Sequence, residues 1–76
     1  MRLRLAAYIA SDDWRKKYDG VWDFQEGLAQ VVLNGKWGFV NEKGEEVVPP
    51  KYDDVWNFYD GFARVELDNK WGLVNT

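Results

Sequence analysis

Apolar and polar positions alternate along most of this chain. In "LAQVVL" (Leu28–Leu33), Ala29, Val31 and Leu33 share one side of a period-2 strand. Asn34-Gly35 follows, and then "KWGFVN" (Lys36–Asn41). Asn-Gly between β-formers predicts a two-residue type I′ hairpin, because both turn residues must adopt positive φ. That turn sets Val31 opposite Gly38 and Val32 opposite Trp37, with the glycine leaving room for close packing on the core face; a slip of one residue reverses the faces. Glu42-Lys43-Gly44 suits a second turn, "EEVV" at 45–48 a third strand, and Pro49-Pro50 its end, since proline donates nothing to a ladder.

The same pattern is written twice. Lys17 aligns with Lys51 at an offset of 34, and 15 of 26 ungapped positions are identical. Repetition of this strength predicts units that bury their faces against neighbours. Each unit reads as a three-stranded antiparallel β-meander plus a linking segment, "KYDxVWxFxxG". The fold class is therefore all-β, a tandem array of 34-residue meanders in a solenoid-like or partly closed sheet. Residues 17–50 form the first unit and 51–76 a truncated second one, in one small domain. Ala29, Val31 and Leu33 recur as Ala63, Val65 and Leu67, so that face is expected to be core. Leu28, Gln30 and Val32 become Phe62, Arg64 and Glu66, so the opposite face is expected to be at least partly exposed.

Residues 1–16 read as a degenerate or capping unit. "AAYIASDDW" can be laid on "WGFVNEKGEEVV" as strand, against the rival of an amphipathic helix over residues 2–10. A partial first unit would supply the strand missing after Thr76 and close the sheet, removing an exposed edge.

These residues resemble the WG-repeat, or KWG-repeat, family of bacterial-type β-rich tandem repeats. The likeness rests on Lys36-Trp37-Gly38 and Lys70-Trp71-Gly72, on Gly27-Leu28-Ala29 and Gly61-Phe62-Ala63, and on Pro49-Pro50-Lys51-Tyr52-Asp53. It covers residues 17–76 and implies a non-enzymatic repeat for protein interaction or surface display, with no general ligand to carry over. A protein partner is therefore expected, with association of copies through an open sheet edge as a further route.

A chain of 76 residues buries only ~60% of its unfolded surface. An aromatic content of 17% partly compensates, since each large ring brings ~150–250 Å² of burial when inside. Charge adds an exclusion. Residues 1–17 balance at +3 and residues 18–76 at −6, so most of the chain repels phosphate backbones and no nucleic acid is expected as partner. No apolar run approaches the ~20 residues of a membrane helix, and the apolar centre at 5–10 is shorter than the ~7–15 residues of a signal-peptide core. The reading is a soluble chain, cytoplasmic by default.

The chain has no His and no Cys, one serine (Ser11) and one threonine (Thr76). A Ser-His-Asp or Cys-His nucleophile is thereby excluded, as is zinc on His or Cys. Paired carboxylates at the equivalent positions Asp19/Asp53 and Glu26/Asp60 raise a glycosidase geometry, but residues repeated in every unit are better suited to capping turns. Asp53-Asp54 and Glu45-Glu46 lack the loop spacing of a calcium site. No catalytic residue, metal or cofactor is expected.

The aromatics remain. Trp37 and Trp71 are expected to pack as framework, and Trp22/Phe24 and Trp56/Phe58 to pack between units or to form an exposed ridge. Tyr59, Arg64 and Glu66 replace Gln25, Gln30 and Val32, so they belong to one copy only. The candidate binding residues are accordingly Trp22, Trp56, Tyr59, Arg64 and Glu66. They serve a protein partner or, in the rival reading, Trp22, Trp56 and Tyr59 stack on sugar rings. A cap or fragment of a longer array is the structural alternative.

Overall fold

A computed structural model describes residues 13–75. Seven strands follow a 3₁₀ turn at Asp13–Lys17: β1 Gly20–Gln25, β2 Leu28–Leu33, β3 Lys36–Asn41, β4 Glu46–Tyr52, β5 Asp54–Val55, β6 Phe62–Leu67 and β7 Lys70–Asn75. They form two open antiparallel sheets, β1-β2-β3-β4 and β5-β6-β7. The all-β meander is present, and the first unit carries one strand more than the pattern announced. The linking segment pairs as β1, Val21 opposite Val31 and Phe24 opposite Ala29, across a bulge that absorbs the intervening residues. The strand-or-helix question over residues 2–10 lies outside the described residues, as does any strand they would add. Trp14, laid on the strand residue Val48 by the sequence comparison, instead belongs to the 3₁₀ turn.

The hairpins follow from their turns. Asn34 and Gly35 have φ of 52° and 79°, and Asp68 and Asn69 have 54° and 67°, as type I′ requires. Asp19 Oδ2 accepts from the Asn34 N–H at 2.8 Å, and Asp53 Oδ2 accepts from the Asp68 N–H at 2.9 Å. The repeated aspartates are turn caps. The expected register holds, with Val31 opposite Gly38 and Val32 opposite Trp37.

Pro49-Pro50 does not end the third strand. β4 runs through both prolines because it lies at the sheet edge and bulges there: Trp37 pairs with Tyr52 and Phe39 with Val48. Gly38 alone therefore faces residues 49–51, and the bulged backbone lies over it. A Cβ at Gly38 would collide with the Val48 carbonyl oxygen and sit 2.7 Å from the Pro50 nitrogen.

Each face of the first sheet carries a buried cluster. The variable face is partly exposed as expected: Leu28 is buried, Gln30 and Val32 are half-buried, and Phe62 and Arg64 of the second unit are exposed. On the constant face Ala29, Val31, Ala63 and Val65 are core, but Leu33 is only half-buried and Leu67 is exposed because it ends its strand beside the turn. Ala29, Val31 and Val40 pack on one side with Tyr18, Trp14, Val21, Phe24 and Leu33. The Tyr18 hydroxyl donates to Glu46 Oε2 at 2.6 Å, and burial followed by that carboxylate raises its pKa well above the ordinary phenol value. On the other side Leu28, Phe39 and Val48 pack against Val55, Phe58, Ala63 and Val65 of the second unit. The units are thus stacked, the constant face of the second on the variable face of the first. The Phe39 and Phe58 rings meet edge to face, with centroids 4.7 Å apart.

Polar contacts repeat the join. Glu26 accepts from the Asp60 and Gly61 N–H groups, and Lys36 Nζ donates to Asp53 Oδ1 at 2.5 Å. The Lys36 hydrogen bond and charge hold the Asp53 carboxyl below its ordinary value, and the same pair raises Lys36. The Asp53 contribution is therefore complete above the ordinary carboxylate range and is lost as pH falls through it. That of Lys36 is complete below the ordinary lysine range and is lost as pH rises past it. Asp53→Asn is expected to flatten the acid limb of stability against pH while its amide oxygen still caps Asp68. Asp53→Ala loses the cap as well, so its urea midpoint at neutral pH should lie below that of Asp53→Asn.

Candidate functional site

The face that stacks in the first unit stands open in the second. Phe62 and Leu73 occupy the positions of Leu28 and Phe39, by the 34-residue offset. Leu28 is 6% exposed and Phe39 0%, whereas Phe62 is 51% and Leu73 63%. The residue types remain apolar although nothing among the described residues covers them. Contiguous apolar exposure of this kind marks interaction surfaces.

A groove of ≈ 400 Å³ on this end is lined by Trp56, Asn57, Tyr59, Phe62, Arg64 and Leu73. Asp60-Gly61, with φ of 54° and 86°, makes a two-residue turn closed by the Tyr59–Phe62 bridge. That turn leaves Tyr59 82% exposed. Trp56 N–H donates to the Arg64 carbonyl at 2.9 Å, which fixes the backbone beneath both side chains. The Arg64 guanidinium lies over the Trp56 ring, 5.5 Å from its centroid, and Trp71 tilts against Trp56 at 5.7 Å. The result is a pair of tilted indole rings with a guanidinium over one of them, apolar in body with one positive charge.

Three of the five candidate residues, Trp56, Tyr59 and Arg64, come together here. Trp22 lines a second groove with Val21, Asp23, Gln25, Gln30 and Asn57, so Asn57 is common to both. There it tilts against Trp37, centroids 4.8 Å apart. Glu66 is half-buried opposite Asp54 and Trp71 and does not line the groove. The aromatic pairs divide. Phe58 is buried and Phe24 half-buried, while Trp22 and Trp56 are exposed. Trp37 packs against the core as expected, but Trp71 is exposed because no further unit lies over it among the described residues.

Phe62, Trp71 and Leu73 were missed as site residues. The signal was available: they are the counterparts of residues that the first unit uses to hold the second. Carboxylates elsewhere serve the fold. Glu45 accepts from Asn41 Nδ2, Asp54 from the Val55 N–H, and Glu46 from Tyr18.

The family described as WG containing repeat matches this chain over residues 16–37 and 37–71. No curated protein and no solved structure matches it.

Proposed function

The chain belongs to the family of WG-containing repeats, and from that premise we propose that it is a non-enzymatic module that docks a protein partner on the end face of its second unit. The observation carrying this reading is the contrast between copies: Phe39 and Leu28 are core, while Leu73 and Phe62, in the same positions, are exposed. A groove that combines Trp, Tyr and Arg has the composition of interface anchors. Absence of His and Cys removes Ser-His-Asp and Cys-His nucleophiles, and the net charge of residues 18–76 disfavours nucleic acid.

Affinity capture from the native host tests the site. Trp56→Ala/Tyr59→Ala is expected to retain the wild-type urea midpoint, since both side chains are mostly exposed, and to lose the captured protein. Equal recovery by both chains would refute the site. Carbohydrate binding is the second reading, favoured by the exposed rings of Trp56 and Tyr59 in one groove. Arg64 over one side of Trp56 and Trp71 beside it leave less ring face for a sugar. Release of the captured material by soluble oligosaccharide would favour that reading.

A further inference from the structure

We infer that the outer edge of β7 takes up an antiparallel strand of the kind found at residues 46–53, an apolar pair followed by Pro-Pro, Tyr and Asp, contributed by the protein partner. This rests on the docking reading above and names the chemistry of its occupant.

The first observation is Gly72. In the first unit, glycine at position 38 is required because the Pro49-Pro50 bulge lies against it. Gly72 holds the equivalent place on β7, opposite Val65 as Gly38 is opposite Val31. A Cβ at Gly72 would meet nothing within 4 Å. Within the described residues, then, nothing demands a glycine at a strand position where a β-branched residue pairs better. A bulged strand crossing it supplies the demand.

The second observation is a groove of ≈ 420 Å³ between β4 and β7, with Val47, Val48 and Tyr52 on one side and Phe62, Leu73 and Val74 on the other. A strand laid there continues the stacking already present between the two units. In the first unit Val48 sits opposite Phe39 and buries itself beside Leu28. An incoming valine at that register meets Leu73 and Phe62 in the same way.

Charge gives the third. Lys36 at the start of β3 holds Asp53, the residue after the β4 strand. Lys70 starts β7 in the same position and is exposed, so an aspartate following the incoming Tyr is its complement. Strand addition at a sheet edge supplies main-chain hydrogen bonds, and alternate side chains supply selectivity.

The test uses the full chain labelled with ¹⁵N and a synthetic peptide Glu-Glu-Val-Val-Pro-Pro-Lys-Tyr-Asp, the sequence of residues 45–53. Saturable amide shifts are expected at Leu73, Val74 and Asn75. Gly72→Val is expected not to lower the urea midpoint, because its Cβ has open space. It is expected to weaken the peptide at least about tenfold, because that side chain enters the backbone of the bulge. Lys70→Glu, which alters no core residue, is expected to weaken it as well. No saturable shift on β7 at millimolar peptide, or equal affinity in all three chains, overturns the inference. The two readings fail separately. Protein capture lost in Trp56→Ala/Tyr59→Ala but unchanged in Gly72→Val leaves the docking face standing and removes the strand. Capture unchanged in the double variant removes the docking face itself.

Discussion

Phe39→Ala is expected to destabilise the protein by about 3–5 kcal/mol, whereas Leu73→Ala, at the equivalent position, changes stability by no more than about 0.5 kcal/mol. Phe39 is fully buried and meets Phe58 edge to face across the join between units. Truncating it removes the transfer free energy of a ring and leaves a cavity. Its neighbours, Leu28 and Val48 on the first sheet and Val55, Ala63 and Val65 on the second with Phe58 between β5 and β6, belong to separate units and cannot close that cavity from one direction. A chain of this length has a total stability of roughly 4–11 kcal/mol. The loss is therefore a large share of the whole, and the urea midpoint should fall by at least about 1 M or the chain should unfold outright. Leu73 is mostly exposed, so its truncation removes little that folding had buried. Equal losses for the two variants would mean that the end face is covered in solution by the chain's own remaining residues or by another copy, which sedimentation would distinguish.

This pair also shows where copy comparison stops short on burial. Leu28/Phe62 lie on the face expected to be at least partly exposed, and Phe62 is exposed while Leu28 is buried. In a stack of repeats, however, the variable face of one unit is the seat of the next, and it tolerates exchange among large apolar residues so long as volume is kept. On the constant face Ala29/Ala63 and Val31/Val65 are small where that face is buried, whereas Leu33 and Leu67 at its end are half-buried and exposed. Period-2 alternation thus identified β2, β3, β6 and β7, and Asn34-Gly35 identified the register of the first hairpin, since both are local properties. What covers each face depends on the order of stacking, and no local pattern encodes that.

The linking segment was harder to read for a different reason. β1 has a bulge and is followed by the Glu26-Gly27 turn, with φ of 55° and 79°. Glutamate is not a residue that announces a type I′ turn. It is there because its carboxylate reaches the Asp60 and Gly61 N–H groups of the next unit, a contact 34 and 35 residues away. At the site, Tyr59 and Arg64 were legible as departures from the copy. Trp71, read as framework, Phe62, read only as part of the partly exposed face, and Leu73, not singled out, belong to the same surface because nothing among the described residues covers them there.

Gly38→Ala and Gly72→Ala are expected to shift stability in opposite directions. Both positions lie within a strand, directly after the same Lys-Trp start. For an unobstructed glycine, alanine restricts the unfolded chain and gains about 0.4–1 kcal/mol. Gly72 has open space at its Cβ, so its alanine variant should show that gain as a raised urea midpoint. At Gly38 the same methyl meets only backbone: the Val48 carbonyl oxygen, the Pro50 nitrogen and the Pro49 carbonyl carbon. No rotamer change relieves such a clash, and the proline rings fix φ of the strand that would have to move. Overpacking of this order costs about 1–3 kcal/mol, which outweighs the gain from chain restriction. Displacing the bulge also pulls on the Phe39–Val48 and Trp37–Tyr52 pairs either side of it, so amide exchange should quicken along β4 before the rest of the sheet. If Gly38→Ala proved neutral, the bulged strand would not rest on β3 as described. The case for a matching strand over Gly72 would lose its ground with it, since the only reason found for glycine in either unit is the passage of a Pro-Pro bulge.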